Sequence, residues 1–287
     1  MSENILFYIV FLGQIILISN YYPRQILNRM QYVLTTYPPE SYPKLYPKHV
    51  AYYEVGQRIF RIINLLIFIL GFIILFVIGL WDNANNGKIS EVIPIAYFFV
   101  QIVPLIIMEF SEFAYFKLMR KADVRTTRKA DLLPRRLFDF ISAKTVALAI
   151  FMIFACILYF NYLSPFSFGF NNDTFIIIIT LTLSNLLFAG IIYWNLYGKK
   201  LNPHQATKDR IRQIEVTVKS LVFTSITASA FLILVKVLDE FQFDHLEPVL
   251  MSFYLQFIMF IGLGSLLRNL RLENLNFDVY KNDTTAT

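Results

Sequence analysis

Long apolar runs alternate with short polar ones along the chain, and the period of the alternation is that of membrane-crossing helices. A hydrocarbon layer of about 30 Å takes roughly 20 residues of α-helix. Seven runs approach that length: about 5–22, 60–81, 92–116, 143–163, 174–196, 220–239 and 248–267. The first is short and the sixth carries several hydroxyls. Uniformly apolar stretches such as Phe175-Ile176-Ile177-Ile178-Ile179 lack the in–out alternation of a transmembrane β-strand. The pattern predicts an all-α, polytopic membrane protein: a single integral membrane domain over 1–287 with seven transmembrane helices.

The polar stretches between the runs are of two kinds. All but two of the 26 Lys and Arg residues fall in four blocks, 24–61, 117–144, 199–219 and 268–281; the exceptions are Lys88 and Lys236. The blocks follow the first, third, fifth and seventh runs. The intervening loops 82–91, 164–173 and 240–247 hold Lys88 alone. Positively charged loops stay on the cytoplasmic side, so the expected topology has the N-terminus outside and the C-terminus in the cytoplasm. Arg24 and Arg29 follow the first apolar run and no small-residue cleavage site does, the pattern of a retained helix rather than a cleaved signal peptide. Nearly all the polar mass then lies on one face, including a Pro/Tyr-rich segment within 23–58 and a tail, 268–287. Compactness and the lack of targeting signals point to a bacterial inner membrane.

Each hairpin after the first helix is entered through a basic lead-in: Arg58–Arg61, Arg135-Arg136 and Arg210–Arg212. Their near-equal spacing hints at a triplicated hairpin; three helices, a linker helix and three more is the other partition. Positive-inside sorting alone also produces such entries.

Composition adds limits. The chain is 56% hydrophobic and only 16% charged, against roughly 25% charged in a soluble domain. The net charge of +6 suits anionic lipid headgroups on the cytoplasmic side; no nucleic-acid recognition motif accompanies it. Cys156 is the single cysteine, so no intrachain disulfide and no cysteine metal site can form. His49, His204 and His245 all lie in loops. There is no His-Glu-x-x-His, Gly-x-Ser-x-Gly or phosphate-binding loop. No catalytic residue, metal or cofactor is therefore expected, and no site supports enzyme activity.

Three features remain as candidates. Glu109 and Glu112, at i, i+3 on the third helix, share one face. Counted back from Lys117, Glu109 lies about 12 Å along the axis, inside the cytoplasmic half of the bilayer. Carboxylates there mark either an ion or proton site or a structural ion pair with Arg61 or Lys144. The second feature is the segment Tyr37-Pro-Pro-Glu-Ser-Tyr-Pro-Lys-Leu-Tyr-Pro47, whose prolines exclude helix. Tyr37, Tyr42, Lys44, Tyr46 and Lys48 either fold over the bundle's own mouth, lie on headgroups or dock a protein partner. The third is the block around Arg120, Lys121, Arg128 and Lys129, in which Arg-Lys-Ala-Asp occurs twice; it suits lipid phosphates or an acidic partner.

The expectation that follows is a non-catalytic interaction or scaffold subunit acting through its basic cytoplasmic face. The alternative is a transporter or channel for a small solute, proton or lipid, using the acids of the third helix. The two part on the surroundings of Glu109: a water-accessible cavity there favours transport, and a dry bundle with Glu109 paired to Arg61 or Lys144 excludes it. Lys236 is expected to reach the outer interface with Asp239 as its partner.

Overall fold

A computed structural model describes residues 4–85, 89–123 and 135–281, the side chains of 83–85 excepted. Among them every regular element is helical. Seven helices are long and apolar enough to cross a membrane: α1 (Ile5–Thr36), α2 (Val50–Asn85), α3 (Val92–Ala122), α4 (Ala143–Leu163), α5 (Asp173–Tyr197), α6 (Thr207–Glu240) and α7 (Asp244–Asn269).

The apolar runs locate the helices, while the helices overrun the runs. Helices α4 and α5 match their runs to within a residue. Helix α1 continues past its expected end at 22 to Thr36, passing through Pro23. A five-residue π-helical turn, Leu17–Tyr21, ends two residues before this proline. Such wide turns let a helix absorb a residue that lacks an amide donor. Helix α6 starts at Thr207, well before its apolar run, because its polar first third is packed on two sides, through Ile214 and Val218 on one and Val216 on another. Its 34 residues span about 51 Å at 1.5 Å per residue, far more than a hydrocarbon layer of about 30 Å.

Side-chain contacts bring one end of each helix together. The Arg29 guanidinium of α1 donates to the Leu270 carbonyl just after α7. Tyr115 of α3 donates to the Leu45 carbonyl before α2, at 2.5 Å. Arg120 of α3 donates to the Leu201 and Lys200 carbonyls between α5 and α6, at 2.9 and 2.6 Å. This is the end that carries the basic blocks, called the basic end below. At the opposite end, Asn4 and Tyr8 of α1 donate to the Asp82 carboxylate on α2, at 2.8 and 3.0 Å. Lys236 there meets Asp239 at 2.6 Å, as the sequence predicts.

The helices pack as two groups. Phe7, Phe11 and Ile15 of α1, Ile67 and Ile78 of α2, Tyr97 of α3 and Val249 of α7 form one core. Ile18 and Tyr22 with Met259 extend it along α1 and α7. Ala149 of α4, Leu196 of α5 and Val218 and Val222 of α6 form a second core, continued by Cys156, Phe160 and Leu181. Helix α7 thus joins α1–α3, so the molecule divides neither into three hairpins nor into two consecutive triplets. The groups meet through α6 and α7, where Phe231 stacks on Tyr254 with ring centroids 3.9 Å apart. Ser220 there donates to the Ile261 carbonyl at 2.9 Å, within a second π-helical turn, Phe260–Gly264. Helices α3 and α5 scarcely touch, which leaves a seam between the groups.

The first group is pinned by a buried polar chain in which each donor has a defined acceptor. Ser252 donates to the Gln14 carbonyl oxygen at 2.7 Å. The Gln14 amide donates to Gln101 at 3.0 Å and to the Pro94 carbonyl at 3.1 Å. Gln101 donates to Ser19 at 2.8 Å, Ser19 lies 3.1 Å from the Tyr97 hydroxyl, and Tyr97 donates to the Ile67 carbonyl at 2.8 Å. All five side chains are buried. In a bilayer such bonds replace the hydrophobic effect as an orienting force between helices.

Candidate functional site

At the basic end the seam widens into a cavity of about 300 Å³. Helix α3 supplies one wall with Glu109, Glu112, Phe113 and Phe116. The end of α5 supplies Trp194 and Asn195, and the elbow 198–206 supplies Lys199, Lys200 and Asn202. The first turns of α6 add Asp209, Arg210 and Gln213. The roof is the tail after α7, through Leu275, Asn276, Phe277 and Tyr280.

Local bonds fix each wall. The elbow is held to α3 by Arg120, to α6 by the Arg210 guanidinium on the Gly198 carbonyl at 2.7 Å, and to itself by Lys200 on the Gln205 carbonyl. Gln205 donates to Gln213 at 2.8 Å. The tail is tied to α6 where the Asn276 amide donates to the buried Asp209 carboxylate at 2.9 Å. Asn202 donates to the Tyr280 hydroxyl at 2.5 Å. Burial pushes the Tyr280 phenol above its usual pKa; the Asn202 bond opposes that shift, and the nearby Asp209 and Glu112 carboxylates reinforce it.

Glu109 and Glu112 are both exposed, and neither has an ion-pair or hydrogen-bond partner among the described residues. Arg61 and Lys144 are exposed as well and make no ion pair with either acid. The ion pair considered from the sequence is therefore not formed. At the level of these acids stand the polar first turns of α6 and the exposed Tyr193, Trp194 and Tyr197 of α5. Aromatic residues of that kind are enriched at membrane–water interfaces.

The Pro/Tyr segment folds on to the bundle's own mouth. The Tyr37 ring stacks on Phe277 of the tail at 3.9 Å, with Tyr42 edge-on to it at 5.1 Å. Tyr46 donates to the Tyr37 carbonyl at 2.7 Å, and burial pushes its phenol up to about 12. Lys44 lies in a short 3₁₀ turn, Pro43–Leu45, that packs against the turn Asp278–Tyr280. Lys48 is exposed, its ammonium 3.6 Å from the centre of the Tyr52 ring. Lys121 is exposed at the end of α3. Arg128 and Lys129 lie outside the described residues.

Sequence reasoning found Glu109 and Glu112 because charge interrupts an apolar run. It missed Asp209, Arg210, Gln213, Asn195 and Tyr280, which lie in polar stretches where one more polar residue carries no signal. It also missed Ser19, Tyr97 and Ser252, each unremarkable in a membrane helix. Asp239, Asp244 and Glu247 gather within 4.8 Å at the opposite end, beside the Lys236 ammonium.

No family model, curated protein or solved structure matches this chain. The cavity sets two carboxylates on one wall, cations, amides and the Asp209 carboxylate on the other, and aromatic rings between.

Proposed function

We propose that the chain is an integral membrane protein of the carrier type, which takes a small solute or lipid headgroup into the cavity at its basic end. The observation that carries this reading is the pair of unpartnered carboxylates, Glu109 and Glu112, facing a cavity lined by both signs of charge. Two carboxylates one helical turn apart repel each other unless something pairs with them. Here no side chain among the described residues does so, and a ligand or a proton supplies the missing partner. The interaction-subunit reading has less support. Tyr37, Tyr42 and Tyr46 are engaged with the tail and with one another, and Arg120 is committed to the elbow.

The sorting of the basic blocks supports an orientation with the basic end in the cytoplasm, against anionic headgroups, and the N-terminus outside. A bacterial inner membrane is the compartment that this reading favours.

Cysteine accessibility tests the carrier reading. Cys156 is fully buried, so it can stay in place. In Asn195→Cys, reconstituted in sealed vesicles, a membrane-impermeant maleimide should react from the basic face. A carrier offers its cavity to both faces in turn, so a fraction should also react from the opposite face. No reaction from either face, or reaction from the basic face alone at long times, would overturn this reading.

A further inference from the structure

We propose that the ligand is an ammonium group joined to a phosphate, presented as the headgroup of an aminophospholipid that enters sideways between α3 and α5; this rests on the reading of the cavity as a ligand site. The charge arrangement selects the class. Glu109 and Glu112 stand at i, i+3 on α3, so their carboxylates sit together on one wall. Phe113, Phe116 and Trp194 line the same space. Carboxylates and aromatic faces together are the chemistry that holds an ammonium group. Lys199, Lys200 and Arg210 bring cations to the elbow side of the cavity, and backbone carbonyls fix two of them there. A metal cation would answer only the acids, and an anionic headgroup only the cations. A zwitterion answers both.

The route selects the source. Helices α3 and α5 scarcely touch, and no core cluster bridges them. Phe110 and Phe113 on α3 and Trp194 on α5 are exposed on the flank of the bundle, at 73%, 57% and 60%. The aromatic belt of α5 puts the cavity at headgroup depth. A lipid therefore reaches it without leaving the bilayer, its acyl chains lying along the seam. On the basic side the tail lines the cavity, and the Pro/Tyr segment stacks on the tail through Tyr37 and Phe277.

The test uses the delipidated full chain in detergent. Binding is read by native mass spectrometry for phosphatidylethanolamine, phosphatidylglycerol and free O-phosphoethanolamine. Phosphatidylethanolamine should bind the wild type at least about tenfold more tightly than phosphatidylglycerol does, a preference one charged hydrogen bond supplies. Glu109→Gln/Glu112→Gln should abolish the preference. Lys199→Gln, at an exposed side chain, is a second variant that leaves the acids intact; it should weaken phosphatidylethanolamine without removing the preference. Equal binding of the two lipids by the wild type, or a preference that survives in the double variant, would overturn the proposal. Free phosphoethanolamine binding as tightly as the lipid would overturn the membrane source. If Asn195→Cys still reacts from both faces in either case, the carrier reading stands and only the ligand assignment falls.

Discussion

Tyr97 shows how much one side chain decides. It is buried, its ring packs edge-on to Phe11 at 5.5 Å, and its hydroxyl closes the polar chain on the Ile67 carbonyl. That placement is possible because residue 71 is glycine. A Cβ there would overlap the Tyr97 hydroxyl and come within 2.8 Å of its Cζ and 2.9 Å of the Ile15 side chain. Gly71→Ala should therefore destabilise the protein by about 1–3 kcal/mol, the usual cost of overpacking. Gly79→Ala on the same helix, with nothing within 4 Å of the added carbon, should stay within about 0.5 kcal/mol. Unfolding of both variants in detergent checks the contrast. Tyr46 gives a residue-scale pH prediction. Its phenol ionises near 10.0 when free and near 12 in the folded segment. The stability it lends is intact below pH 10.0 and is lost as pH rises towards 12. Spectroscopic titration of detergent-solubilised protein should show the late-ionising phenol absorbance fall by one tyrosine's share in Tyr46→Phe. Identical late ionisation in that variant would refute the assignment.

At the scale of elements, hydrophobic patterning found every membrane-crossing helix and misjudged where several end. Helices α4 and α5 start where their runs start, because side chains cap them there: Ser142 accepts from the Thr145 amide at 3.2 Å and Asn172 from the Phe175 amide at 2.8 Å. Helices α1 and α6 run on because a polar helix persists when one face packs against a neighbour, which hydropathy does not register. The two π-helical turns were equally invisible, since hydropathy does not register a local change in helical pitch. In α7 the turn leaves the Ile261 carbonyl to accept from Ser220, at the joint between the two groups. Ser220→Ala should cost about 0.6–1.7 kcal/mol, the range of interhelical hydrogen bonds in membranes. A double-mutant cycle with Phe231→Ala should show coupling across that joint; strictly additive effects would mean that the two contacts act independently.

For the whole molecule, the class of fold was legible because charge and apolarity are sorted along the chain. The candidate site was half legible. Glu109 and Glu112 stand out in α3, whereas the opposing wall draws on α5, the elbow, α6 and the tail, which only the fold brings together. The roof couples two segments distant in sequence, through Tyr37 on Phe277 and the packing of Pro43–Leu45 on Asp278–Tyr280. Replacing 37–47 by Gly and Ser should therefore loosen the tail, with faster proteolysis within 270–281 and faster maleimide reaction at Asn195→Cys. A segment serving only to dock a partner would leave both rates unchanged. Asp209→Ala, which removes the acceptor of the Asn276 amide, should speed the same two reactions.

The pairing of α1 with α7 also sets an order of events during synthesis. Helix α1 leaves the ribosome before α2 to α7, carrying Gln14 and Ser19, and the residue that completes Gln14's bonding, Ser252, is translated more than two hundred residues later. Gln101 arrives between them. For most of translation α1 holds polar side chains in lipid without their final acceptors and donors. It must wait beside the insertion machinery, or find temporary partners, until α3 and then α7 arrive. Leu275 to Tyr280 follow later still, so the cavity has no roof until all seven helices have been made.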